Sequence, residues 1–270
     1  MRKLIFLIVL LGLFIFIACS SPQPDLLSGK IIDLTYSFDE TTVYWPTAEG
    51  FRLEIAFKGE TEQGYYYTAN KFSTAEHGGT HIDAPIHFYR DRTTLDAIPL
   101  ERLLGPAVVI DVSEKCASNP DYRVQTEDFT AWEQKHGQRL DDVIVLLRTG
   151  FGTYWPDKVK YMGTDERGPG AVPKLHFPGL HHDAAKWLVQ NRAIKAIGLD
   201  TPSIDYGQST LFESHVTLYE QNIPAFENVA NLDQLPDKDF TVIALPMKIK
   251  GGSGGPLRII AVVPDSKIST

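Results

Sequence analysis

The 270-residue chain has only two cysteines, Cys19 and Cys116. That scarcity excludes a disulfide framework, so stability has to come from an apolar core. No long basic run is present, and the formal net charge is −8. Nucleic-acid binding, which leans on neutralising phosphates, is therefore not expected. Internal repeats and low-complexity tracts are also missing. The most apolar stretch, Leu4 to Ala18, is short of the roughly 20 residues that a spanning helix needs.

That stretch follows a basic start, Met1-Arg2-Lys3, and precedes Cys19-Ser20-Ser21-Pro22. A basic n-region, an apolar h-region and a small residue before the cut describe a secretory signal. Phe16-Ile17-Ala18-Cys19 resembles a bacterial lipobox, with Phe16 where Leu is usual. The expectation is a signal over residues 1–19, a tether over 20–29 and one folded domain over 30–270. The protein would then be exported and held at the cell envelope by lipid on Cys19, its one contact with a membrane. With Cys19 acylated, Cys116 has no partner for a disulfide.

Along the domain, Lys30 to Tyr36, the alternating Phe51 to Phe57, and Tyr65 to Phe72 read as strands. Ala107 to Val112 and Val143 to Leu147 are continuous apolar runs, suited to strands buried on both faces. Asp183 to Asn191 reads as a helix capped by Asp183, and Ile194 to Leu199 as the strand after it. Phe240 to Ile249 and Ile259 to Val263 close the chain as strands around a flexible loop, Gly251 to Pro256. Strands outnumber helices, and some βαβ order is present. The fold class is α/β, a single domain with a central mixed β-sheet flanked by helices.

One segment concentrates chemistry: His77-Gly78-Gly79-Thr80-His81-Ile82-Asp83-Ala84-Pro85-Ile86-His87-Phe88. Three histidines and an aspartate fall on odd positions, so an extended chain puts them on one face. A straight strand from His77 to Asp83 would span about 20 Å, whereas one metal ion holds its ligands about 2.0–2.2 Å away. A helix is disfavoured by Gly78-Gly79 and interrupted by Pro85. The chain is therefore expected to curl at the glycines, whose φ range is open. His81 and Asp83 then reach one ion from a strand end, with His77 folding back onto it. Imidazoles with a carboxylate suit zinc, manganese or iron, and the absence of thiolate argues against a closed structural zinc site. Open coordination positions would activate water and polarise a carbonyl.

The segment resembles the H-x-G-T-H-x-D-x-P-x-H-F signature of the cyclase-like family, which includes bacterial kynurenine formamidase and isatin hydrolase. Further similarity lies in Asp33-Leu34-Thr35, Trp45-Pro46, Arg148-Thr149-Gly150, Gly198-Leu199-Asp200-Thr201-Pro202-Ser203-Ile204-Asp205, His215 and Glu227 to Leu232. It runs from about Lys30 to the chain end. The resemblance implies a swivelling β/β/α fold and a first metal on His77, His81 and Asp83. Asp83 would bridge to a second metal completed by His215 and Glu227, and His87 would be the catalytic acid/base. Zinc is the expected ion and manganese the alternative, with two ions per chain. Trp45 is a candidate pocket residue, and a homo-oligomer is implied.

The expected activity is hydrolysis of an amide-type C–N bond, formamidase-like, in a small-molecule substrate. A cyclic amide of the isatin type is the rival substrate, and an exported binding lipoprotein without catalysis is the rival class. The stretch from Tyr154 to Phe177, rich in Gly, Pro and charge, is expected to be a loop near the site mouth or an oligomer contact. No role is expected for Cys116, His136, His176, His181 or His182, which read as ordinary polar or loop positions.

Overall fold

The computed structural model describes residues 29–265. The expected signal and lipobox, and all of the tether but Gly29, lie outside the described residues. The strands are β1 (Lys30–Asp33), β2 (Arg52–Glu60), β3 (Tyr66–Ser73), β4 (His81–Asp83), β5 (Leu104–Asp111), β6 (Arg123–Val124), β7 (Ile144–Arg148), β8 (Gly179–Leu180), β9 (Ala196–Leu199), β10 (Ala225–Glu227), β11 (Phe240–Pro246) and β12 (Gly254–Val263). The helices are α1 (Leu100–Leu103), α2 (Ser113–Ser118), α3 (Thr126–His136), α4 (Lys158–Met162), α5 (His182–Asn191) and α6 (Glu213–Glu220). Among the described residues, no helix is long and apolar enough to cross a membrane.

Eight strands form one mixed sheet in the order β1-β12-β11-β5-β7-β9-β10-β4. β5, β7, β9 and β10 run parallel. The other pairings are antiparallel, and a second contact of β4 with β12 curls the sheet into a barrel-like arrangement. The apolar runs are buried on both faces as expected, and the two-residue period sorts them. Val108, Ile110, Val145 and Leu147 pack with Phe129 of α3 and Ala184 and Leu188 of α5. Ala107, Val109, Ile144 and Leu146 face the other way, among Ile82, Phe226, Val242 and Ile259 from neighbouring strands.

Four local expectations need correction. The glycine stretch 251–256 is a loop only at its start, because Gly254, Gly255 and Pro256 are strand, paired with Asp83, Ile82 and His81. Backbone hydrogen bonding to β4 outweighs the weak strand propensity of glycine. Helix α5 is capped by His181, whose Nδ1 accepts from the Asp183 N–H at 3.1 Å, so Asp183 lies inside the first turn. The stretch 154–177 contains α4 and buries Tyr161, Met162, Leu175 and Phe177. It also braces the segment carrying Trp45, since Gly168 N donates to Pro46 O at 2.9 Å and the Arg167 guanidinium donates to the Trp45 and Ala48 carbonyls. Cys116 sits on α2 and is buried in the core rather than on a loop.

Strands β2 and β3 form a separate hairpin, exposed along most of its length, with Leu53, Ile55, Phe57, Tyr66, Tyr67 and Phe72 open to solvent. It is tied to the body at its base, where Phe51 lies 5.9 Å from both Phe38 and Phe72.

Candidate metal centre and active site

The short strand β4 is the foundation. It lies between β10 and β12, and the register sets His81 opposite Glu227 and Asp83 opposite Gly254. The chain reaches β4 through a bend at Gly78-Gly79, as the sequence leads one to expect. A Cβ on Gly78 would sit 2.0 Å from the Tyr44 ring, and Gly79 has φ +58, the left-handed region where side chains are strained. The bend turns His77 back over Asp83. After β4, Pro85 starts a single 3-10 turn, Pro85–His87, that returns His87 to the same place. Its ring stacks on His77 at 3.7 Å between centroids. From the opposite side, α6 presents His215 and Tyr219, four residues apart and so on one helix face.

The side chains converge on Asp83. Its Oδ1 lies 2.7 Å from His77 Nδ1 and 3.2 Å from His81 Nε2. Its Oδ2 accepts from the Tyr219 hydroxyl at 2.8 Å and lies 3.6 Å from His215 Nε2 and 4.0 Å from His87 Nε2. Glu227 spans the same space, with Oε2 3.3 Å from His81 Nε2 and Oε1 3.2 Å from His215 Nε2. All six residues named for this site thus meet in one place. His81, Asp83, His215 and Glu227 are buried, whereas His77 and His87 keep about a quarter of their side-chain surface exposed, 24% and 28%.

Two sets of ligand atoms lie close enough to share an ion: His81, Asp83 and Glu227, and His77, Asp83 and His87. Asp83 is common to both. The partition differs from the expected one, since His81 groups with Glu227 and His87 with His77. Register explains the first difference, because His81 and Glu227 are cross-strand partners.

Electrostatics favour a cation. Among the described residues, His81 Nδ1 has the Gly79 carbonyl as its partner, at 2.9 Å, so it donates there and leaves Nε2 to face the carboxylates. That Nε2 is buried and has no hydrogen-bond partner of acceptable geometry. Burial works against charging His81, yet the adjacent carboxylates of Asp83 and Glu227 hold it up at about 10. His215 is likewise buried and yet raised well above the ordinary imidazole value by Asp205, Asp83 and Glu227. Burial would raise the Asp83 carboxyl, but His77, His215 and His81 hold it well below the usual carboxylate range. Buried carboxylates this close demand positive charge between them, and an orphaned imidazole nitrogen supplies a donor to whatever carries it. The donor set, nitrogen and oxygen without sulfur, fits zinc or manganese.

Several supporting residues escaped sequence reasoning. Asp205 accepts from His215 Nδ1 at 2.6 Å and so points Nε2 at the centre. Asp205 stands in a motif already singled out, but its pairing with His215 depends on tertiary packing. Tyr219 shows only as an apolar helix position four residues past His215. A pocket of about 300 Å³ opens onto the centre. Trp45 lines it, together with Phe88, Phe212, Val43, Tyr44 and Pro202. Trp45 and Phe212 meet edge-on at 6.2 Å, and Phe212 lies 5.0 Å from Phe88.

A barrel-like mixed sheet with this centre beneath an aromatic pocket defines an α/β protein whose clustered His, Asp and Glu side chains could hold a metal ion. The chain belongs to the Cyclase family, whose model matches residues 32–206. It is 34% identical to isatin hydrolase of Roseibium aggregatum over 92% of this chain and 97% of that protein. It is 28% identical to kynurenine formamidase of Salinibacter ruber over 85% of this chain and 96% of that protein. The solved isatin hydrolase A from Labrenzia aggregata, bound to benzyl benzoate, superposes with a TM-score of 0.77 at 32% identity, covering 87% of this chain and 93% of that one. These relatives are hydrolases.

Protein stripped of metal is expected to bind Zn²⁺ and to gain about 2.7 kcal/mol of stability at free zinc near 100 times Kd. Asp83→Ala should bind none and melt at one temperature with or without zinc. Elemental analysis with thermal melts checks this, and a wild-type melt that zinc leaves unmoved contradicts it.

Proposed function

We propose that the chain hydrolyses the amide C–N bond of a flat, uncharged aromatic amide, of the cyclic isatin type. The pocket carries this reading. Its walls are aromatic and apolar, its floor is the His/Asp/Glu centre, and no Lys or Arg is among the described residues lining it. A substrate bearing its own carboxylate would find no lysine or arginine there to pair with, whereas a neutral planar amide would stack between Trp45, Phe88 and Phe212. Similarity to isatin hydrolases in sequence and fold supports the same choice.

A divalent cation held by His77, His81, Asp83, His215 and Glu227 would supply Lewis-acid activation of water and of the substrate carbonyl. The protein's own residues then divide the work. Trp45, Phe88 and Phe212 hold the ring and keep bulk water out. His87, at the pocket edge, takes a proton from the attacking water as the oxygen–carbon bond forms. It then gives that proton to the nitrogen as the carbon–nitrogen bond breaks, leaving a carboxylate and an amine. Tyr219 and Asp205 keep Asp83 and His215 oriented.

A second reading, formamide hydrolysis of the kynurenine formamidase kind, is favoured by two overlapping sets of ligand atoms that share Asp83, which leave room for two ions. A two-ion site of that sort is what the family resemblance attaches to formamidases. Turnover of isatin against N-formylkynurenine separates the two. A kcat/KM larger for isatin is expected, and a larger value for the formamide reverses the assignment.

His87→Ala is expected to keep its metal and lose about 10²–10⁴ in turnover. Loss of metal would make His87 a ligand. The pH profile gives an independent check. Burial and the neighbouring His77 and His215 push His87 down to about 4, against the pull of Asp83 and Glu227. The neutral, proton-accepting form therefore persists well below pH 6.5. In metal-free protein, the His87 ring followed by NMR should stay neutral as pH falls from 8 through 6.5. A His87 titration centred near the ordinary imidazole value of about 6.5 would contradict it.

A further inference from the structure

The loop before β12 does something that neither the hydrolytic reading nor the ligand set assigns. Ser253 Oγ lies 2.9 Å from His77 Nε2 and 2.6 Å from Glu76 Oε2. The Ser253 N–H also donates to Glu76 Oε2, at 3.0 Å. A carboxylate has no proton to give, so the serine hydroxyl donates to Glu76. Its lone pairs are then left to accept from His77 Nε2–H. The other ring nitrogen, Nδ1, is the one 2.7 Å from Asp83.

The loop is built to hold this arrangement. The Ser253 carbonyl accepts from Ala84 N at 2.8 Å, the Gly252 carbonyl from Leu95 N at 2.9 Å, and Gly251 N donates to Asp96 at 2.9 Å. Serine is flanked by glycines for a steric reason. A Cβ on Gly254 would lie 2.5 Å from His77 Cε1, and one on Gly252 would lie 2.9 Å from Glu76 Oε1. The backbone thus comes as close to His77 and Glu76 as an unsubstituted chain can.

We propose that Ser253, aligned by Glu76, is a positioning residue for His77: it holds the proton on Nε2 and so presents the Nδ1 lone pair to the cation. The inference rests on His77 being a metal ligand. Partners of this kind typically contribute 10–100-fold in metal affinity.

The test compares wild type, Ser253→Ala and Ser253→Thr in two measurements, neither of which is activity. Zinc affinity, read by competition with a chelator, should weaken about 10–100-fold in Ser253→Ala and recover in Ser253→Thr. In metal-free protein, nitrogen-15 NMR should show a His77 Nε2–H signal, assigned by its loss in His77→Gln. That signal should persist in wild type and Ser253→Thr and be lost to solvent exchange in Ser253→Ala. Zinc bound equally well by wild type and Ser253→Ala overturns the role of Ser253 alone, as does an unprotonated Nε2 in wild type. Wild type that binds no zinc overturns the metal centre and this inference with it.

Discussion

Two carboxylates, Asp83 and Glu227, are buried side by side, and the rest of the site follows from that constraint. Taking an anion out of water costs several kcal/mol unless opposite charge and hydrogen bonds compensate. Here His77, His81 and His215 surround the pair, Tyr219 donates to Asp83, and Ile204 N donates to Glu227 at 2.7 Å. Without a cation, His81 and His215 gather protons to balance the field, which is why both are raised. A divalent ion would answer the same demand with one particle and leave the imidazoles neutral.

Sheet closure makes that burial possible. Strand β4 is only three residues long, yet it is paired on both edges. With both edges occupied, its backbone is satisfied and its side chains have fixed directions. Asp200 plays a comparable part further along, where it accepts from Thr149 N and Oγ1 at 2.7 Å and from Gly150 N at 3.0 Å. The Arg148-Thr149-Gly150 and Gly198-to-Asp205 segments are thus joined through a buried carboxylate. Asp205, at the end of the second segment, orients His215. Motifs distant in sequence serve one structure.

What was legible in the sequence divides by distance along the chain. The curl at Gly78-Gly79, the buried strands and the His77-to-His87 cluster are local, and periodicity with residue chemistry suffices to find them. The roles of His215 and Glu227 rest on resemblance alone, because only the β4–β10 register and the seat of α6 bring them to Asp83. Tyr219 and Ser253 act through contacts 136 and 176 residues apart in sequence, beyond what any local pattern encodes. The glycine stretch misled for a related reason. Its composition speaks of flexibility, while its function requires a rigid approach to β4 and His77.

The division between a common centre and a variable pocket bears on how one family serves more than one substrate. The centre is assembled from β4, β10 and α6, whose positions the closed sheet dictates. The pocket walls come from elsewhere: Trp45 from the segment after β1, Phe88 from beyond the 3-10 turn, and Phe212 from just before α6. Trp45 is further braced by the stretch 154–177 through Arg167 and Gly168. Substrate choice can therefore drift through loops while the buried charges, which tolerate no such change, keep the hydrolytic chemistry constant.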